Sequence, residues 1–294
     1  MLKPCAFMFL ALTILLAGTW ADASAAPTLK ALIVDGQNNH NWQATTPILR
    51  KHLEESGLFT VDVATSPPQG KDLSQFQPKF ADYNVIVLNY NGAPWSAAAQ
   101  KAFVDYVNGG GGVVVVHAAN NAFPDWKEYN QMIGLGWRGA GYGPRLTLDD
   151  AGKPVRTPQG QGPGAGHGSQ HDFAVIVRDR EHPITKGLPA TWLHEKDELY
   201  HGQRGPAENM DVLATAYSDR AAGGTSAHEP MLWVIPYGQG RVFTTVLGHS
   251  PEAMQCVGFI TTLQRGAEWA ATGKVSQSKI PDDFPTADKV STRK

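Results

Sequence analysis

The chain has 294 residues, with 25 Lys plus Arg set against 27 Asp plus Glu and a formal net charge of −2. A near-neutral chain without a basic block lacks the clustered Lys and Arg that phosphate binding needs, which excludes nucleic acid as a partner. Its cysteines are Cys5 and Cys256, too few for a disulfide framework, so stability must come from an apolar core.

The first residues read as a targeting segment. Lys3 gives a positive start, Cys5 to Trp20 is an apolar run, and small residues at Ala23 and Ala25 precede Ala26. The run covers 16 residues, short of the roughly 20 that cross a bilayer. Residues 1–26 are therefore expected to be a signal peptide. The mature chain is expected in the periplasm or secreted, with no membrane insertion after cleavage. Cys5 lies at the wrong end for a lipoprotein. Residues 27–273 are expected to form one domain. Residues 274–294, polar with two prolines, read as a loosely ordered tail.

Strand and helix signals alternate from residue 29 onward. Residues 29–34 are an apolar run ending in Asp35-Gly36. A helix follows, with Thr45 or Thr46 as its cap, Pro47 in its first turn and Gly57 at its end. Residues 59–65 and 84–90 read as the next strands. Ser96 caps a second helix closed by Gly109, and 113–117 is a run of valines ending in His117. Strands apolar on both faces belong in a parallel sheet covered by helices on each side. Gly and Pro crowd from Gly134 to Gly168, which suggests a long excursion over a pocket. Residues 173–177 and 211–217 look like strands, and 231–248 like a hairpin around Gly-Gln-Gly. A final helix runs from about Pro251 to Trp269. The expected fold is a flavodoxin-like three-layer α/β sandwich, its central sheet mostly parallel with an added antiparallel hairpin.

Ligands of such sheets bind where the strands' carboxyl ends converge. Polar residues stand there: His40 and Trp42 after the first strand, Asn89 after the third, His117 and Asn120 after the fourth, His249 after the hairpin. Taken singly, a loop histidine is more often a hydrogen-bonding group than a ligand, and His52 and His182 are assigned to structure. Three histidines at three strand ends are harder to dismiss. The middle segment adds His167 and His171, then His194-Glu195-Lys196-Asp197-Glu198-Leu199-Tyr200-His201. Imidazoles alternating with carboxylates can hold a divalent metal or supply an acid and a base, although no His-Glu-x-x-His or Cys-pair spacing is present. The strand-four turn carries His117-Ala-Ala where hydrolases place a Ser or Cys nucleophile, and Cys256 reads as packing inside the last helix.

Several stretches together resemble the ThuA-like (trehalose utilisation) family, which has the class I glutamine amidotransferase-like fold. They are His40-Asn41-Trp42, the valine run into His117-Ala-Ala, Asp125-Trp126-Lys127-Glu128-Tyr129, His182-Pro-Ile-Thr, Asp197-Glu198-Leu199-Tyr200, and Tyr237-Gly-Gln-Gly-Arg-Val242 running to Leu-Gly-His249. The Gly/Pro-rich stretch from Gly139 to Gly166 departs from that pattern. The resemblance implies carbohydrate metabolism near enzymes that make 3-keto sugars, and no glutaminase chemistry. The expected function is a lyase, hydrolase or isomerase acting on a sugar or 3-keto-glycoside by acid/base or metal-assisted elimination, hydration or hydrolysis. The alternatives are a non-catalytic sugar-binding module and an amidohydrolase without a Cys nucleophile. The expected catalytic residues are His117, His249, Asp197 and Glu198. Those expected to bind substrate are His40, Trp42, Asn89, Asn120 and Tyr200. His117, His171, Glu198 and His249 are the candidate ligands of a zinc-like divalent metal.

Overall fold

The computed structural model describes Met1 and residues 28–294, so the expected signal peptide lies outside the described residues. The first half alternates as its hydrophobic pattern dictates: β1 (Leu29–Asp35), α1 (Trp42–Glu55), β2 (Phe59–Thr65), β3 (Val85–Leu88), α2 (Ala97–Asn108), β4 (Gly112–Val116) and α3 (Lys127–Ile133). The second half is strand-rich: β5 (Arg145–Leu148), β6 (Pro154–Thr157), β7 (Gly166–His167), β8 (His171–Val177), β9 (Thr191–Asp197), β10 (Tyr200–His201), β11 (Asp211–Tyr217), β12 (His228–Tyr237) and β13 (Gly240–Thr245). Helices α4 (Pro251–Met254) and α5 (Val257–Thr272) close it.

One sheet runs through the domain in the order β2-β1-β3-β4-β13-β12-β11-β8-β9. Its first five strands are parallel, in the flavodoxin-like order. Across β13 the direction reverses, and β12, β11, β8 and β9 continue antiparallel. The antiparallel part thus extends the expected hairpin by three strands. Successive residues of the parallel strands feed two cores. Ile33, Val87, Val114 and Val116 face one with Leu53, Phe259 and Leu263. Val34, Leu88, Val113 and Val115 face the other with Phe103, Tyr129 and Met132. That alternation makes the three-layer sandwich.

Four expectations need correction. Helix α1 starts at Trp42, because the Asn41 side chain accepts the Ala44 N–H at 3.2 Å and caps the helix ahead of the threonines. The Gly134–Gly168 excursion is partly sheet: β5 pairs with β6 and touches β12. Cys256 is not inside a helix but caps α5 at a break after α4, where it is fully buried. The tail is packed. The Leu193 N–H donates to the Thr286 carbonyl at 2.7 Å, Val257 to Ser291 at 2.9 Å, and Arg293 to Gln255 at 2.9 Å. These are backbone bonds, which polar side-chain composition does not reveal.

Candidate functional site

Three parallel strands deliver three imidazoles to one point. His40 lies in the loop after β1, His249 in the loop after β13, and His117 directly follows β4. His117 has φ of 45°, the left-handed region that a non-glycine residue seldom occupies. Strain of that kind persists only where the surroundings over-determine it. Here its Nδ1 lies 2.7 Å from the Val246 carbonyl, so Nδ1–H donates and Nε2 carries the lone pair of the neutral ring. That Nε2 is buried without a hydrogen-bond partner.

The fourth member comes from the turn between β9 and β10. Glu198 Oε2 lies 3.0 Å from His249 Nδ1, 3.6 Å from His117 Nε2 and 3.7 Å from His40 Nε2. One ligand atom from each of these four residues lies within 4.8 Å of all the others. The rings meet edge to face, with centroids 4.7–5.4 Å apart. Burial pushes the Glu198 carboxyl up, but His117, His249 and His40 outweigh it and hold the group far below the carboxylate range. The same contact raises His249, whereas burial lowers His40. Such a donor set, three imidazole nitrogens and one carboxylate oxygen, suits a borderline divalent ion.

The remaining expected residues divide sharply. His171 is outside the group. Its Nδ1 lies 2.7 Å from the Ser169 carbonyl, because the start of β8 turns the ring toward Phe173. Its intended place is taken by His40. Asp197 is fully buried and faces the polypeptide: it accepts N–H bonds from Gly248, His249 and Glu198 and pairs with His194. Asn89 is also internal, donating to Thr45 and Thr46 of α1 at 3.0 Å each. Asn120 donates to Gln203 and is fully buried. The side chains of Asn89, Asn120 and Asp197 are thus engaged with the polypeptide. Tyr200 is buried too, its ring 4.3 Å from that of His117, where it forms a wall. Trp42 opens α1 beside His40, its N–H donating to the His40 carbonyl at 2.8 Å.

Two residues went unassigned in the sequence. His167 Nε2 reaches the other Glu198 oxygen at 3.5 Å, and its side chain keeps 38% exposure. Its Nδ1 is 2.7 Å from the Gly168 carbonyl, which again leaves Nε2 as the free nitrogen. Trp137, half-buried, stands 5.8 Å from His167 and 4.6 Å from Tyr200, centroid to centroid. Pairing of β7 with β10 sets His167 directly opposite Tyr200, a register that spacing alone does not disclose.

The family model for ThuA, described as trehalose utilisation, matches residues 30–270. The chain belongs to the ThuA family. Among solved structures, a ThuA-like protein from Parabacteroides merdae is 47% identical, with a TM-score of 0.87 over 91% of this chain and 98% of its own. A ThuA-like protein from Bacteroides uniformis, 24% identical with a TM-score of 0.59 over 89% of this chain and 98% of its own, shares the fold. No curated protein matches. ThuA is a carbohydrate-related family, and the ThuA fold here accounts for the parallel sheet that brings the three imidazoles together. Among the described residues no helix is long and apolar enough to cross a membrane.

Proposed function

We propose that this ThuA protein is an exported enzyme that processes a sugar or 3-keto-glycoside at a divalent-metal centre held by His40, His117, His249 and Glu198. The observation that carries it is the contact between His117 and Glu198. With Nδ1–H committed to Val246, a neutral His117 presents a lone pair to a carboxylate oxygen, so two acceptors face each other 3.6 Å apart. A cation between them would satisfy both. Protons on all three imidazoles would set three positive rings about 5 Å apart, whereas one shared divalent ion satisfies every lone pair at once.

When bound, a zinc-like ion would supply Lewis acidity toward a carbonyl or hydroxyl oxygen. The chain's own residues do the rest. His167, partly open to solvent with Nε2 3.5 Å from Glu198 Oε1, is placed to accept or return a proton of the substrate. A keto group acidifies its neighbouring C–H, so such a base suits elimination, hydration or isomerisation of a 3-keto-glycoside. Trp137 offers a half-exposed indole, an apolar plate that suits the C–H face of a sugar ring. A purely sugar-binding module would not need the buried acceptor pair.

Elemental analysis of the purified protein tests the metal, and a screen of 3-keto and unmodified disaccharides with and without chelator tests the chemistry. About one equivalent of metal, and turnover lost to chelator and restored by Zn2+ or Mn2+, is the expected outcome. A protein that takes up neither ion on titration overturns the reading.

A further inference from the structure

Asp197 joins two loops that are distant in sequence. Its Oδ1 accepts the N–H of Glu198 at 2.8 Å and of His249 at 3.1 Å, and its Oδ2 accepts the N–H of Gly248 at 2.7 Å. One buried carboxylate therefore fixes the backbone of two of the four cluster residues. Behind it stands His194, also fully buried, whose Nε2–H donates to Oδ2 at 2.8 Å. The Cys256 thiol lies against the His194 ring.

The C-terminal segment encloses this pair from two sides. Cys256 pairs with Thr292, flanked by the backbone bonds Val257 to Ser291 and Arg293 to Gln255. On the other side β9 is the last strand of the sheet. Its outer edge, one residue before His194, is met by Thr286, and Phe284 packs on Trp192 with ring centroids 5.7 Å apart. An edge strand left bare admits water, and water weakens a buried charged hydrogen bond.

We propose that the His194–Asp197 pair is the positioning element that sets Glu198 and His249 at metal-binding separation, and that residues 284–293 keep it in place by sealing β9 and Cys256. The proposal rests on the metal reading above. It assigns the C-terminal segment to the site rather than to the surface.

Titration of the full chain with Co2+ or Zn2+ tests it, alongside amide hydrogen exchange at Gly248 and His249. His194→Leu should weaken metal affinity about 10–100-fold, the usual effect of an outer partner. His194→Gln, which keeps a donor toward Asp197, should recover part of that loss. Phe284→Ala, or a chain ending at residue 279, should shift affinity in the same direction and speed exchange at both amides, while β4 exchange stays unchanged. Wild-type affinity and protection in His194→Leu would overturn the proposal. Wild-type values in a folded 1–279 chain would overturn the part assigned to the tail. Should the parent protein bind no metal, the functional reading fails, and the exchange measurements still decide the positioning role. If His194→Leu does not fold, Phe284→Ala and His194→Gln decide it by the same two readouts.

Discussion

Replacing Arg204 by Met should detach the Gly/Pro-rich segment from the domain. Arg204 is fully buried and donates to four main-chain carbonyls. Nε and Nη2 reach Pro163 at 3.0 and 2.5 Å, Nη1 reaches Gly143 and Pro158 at 3.3 Å each, and Nη2 also reaches Gln161. Methionine keeps most of the apolar stem, so the loss is chiefly polar. Pro158, Gln161 and Pro163 belong to exposed residues whose carbonyls can turn to water, leaving a net loss of ~1 kcal/mol each. Gly143 is buried and its carbonyl would stay unpaired, at a cost of ~1–3 kcal/mol. The total is ~4–6 kcal/mol if the segment stays folded, and less if it opens locally first. Urea denaturation should show a large fall in midpoint, and hydrogen exchange should accelerate between residues 139 and 166. Because this segment ends in β7, the contact of His167 with Glu198 should loosen as well. A loss below ~1 kcal/mol with unchanged exchange would show that Arg204 does not anchor the segment.

Three further outcomes are expected. His117→Ala should reduce both divalent-metal affinity and turnover about a hundredfold or more without unfolding the domain, as read by calorimetric titration and circular dichroism. His194 should make stability depend on pH: burial lowers it, but Cys256 and Asp197 outweigh burial and raise it to about 10. Its unfolded value is ~6.5, so the stabilisation is full below that pH and is lost as pH rises toward 10, by up to ~1.4 kcal/mol per unit. The difference in Tm between wild type and His194→Gln should accordingly shrink from pH 6 to pH 10. Gly36→Ala should destabilise by ~2–4 kcal/mol in a denaturant melt, because φ is +110° and the new Cβ would fall 2.5 Å from the Ser66 nitrogen.

The parallel half of the fold was legible because its strands are apolar on both faces and its helices carry their own stops. Ser96 caps α2 through the Ala99 N–H at 3.2 Å, as its place before the apolar periodicity implies. In the antiparallel half the hairpin and the strands β8 and β11 were legible as segments, but β9 and the pairing were not, because these strands pair at sequence separations no local pattern encodes. The histidines at the strand ends stood out for the same reason as the strands. The acids did not sort themselves, since neighbours in a turn face opposite ways: Glu198 enters the cluster while Asp197 points back to Gly248 and His194. Asn89 and Asn120 resembled ligands in sequence, and their amide N–H groups donate to Thr45, Thr46 and Gln203, partners more than 40 residues away. His167 was noticed but given no role, because only the register of β7 against β10 brings it to Glu198.

The cluster sits on the seam of the sheet, and that location explains its composition. Strand β13 is parallel to β4 and antiparallel to β12, so its carboxyl end belongs to both halves. The parallel half contributes only imidazoles, because the carboxyl ends of β1, β4 and β13 lead into His40, His117 and His249. Its β4 turn, where related scaffolds hold a nucleophile, holds a strained histidine with one nitrogen fixed by Val246. The balancing negative charge comes from the antiparallel half, through the β9–β10 turn. Neither half is complete alone: three imidazoles without Glu198 lack the carboxylate, and Glu198 without them would be a partly buried unpaired charge. The bond network of Asp197 crosses that seam, tying the β9 turn to the loop after β13.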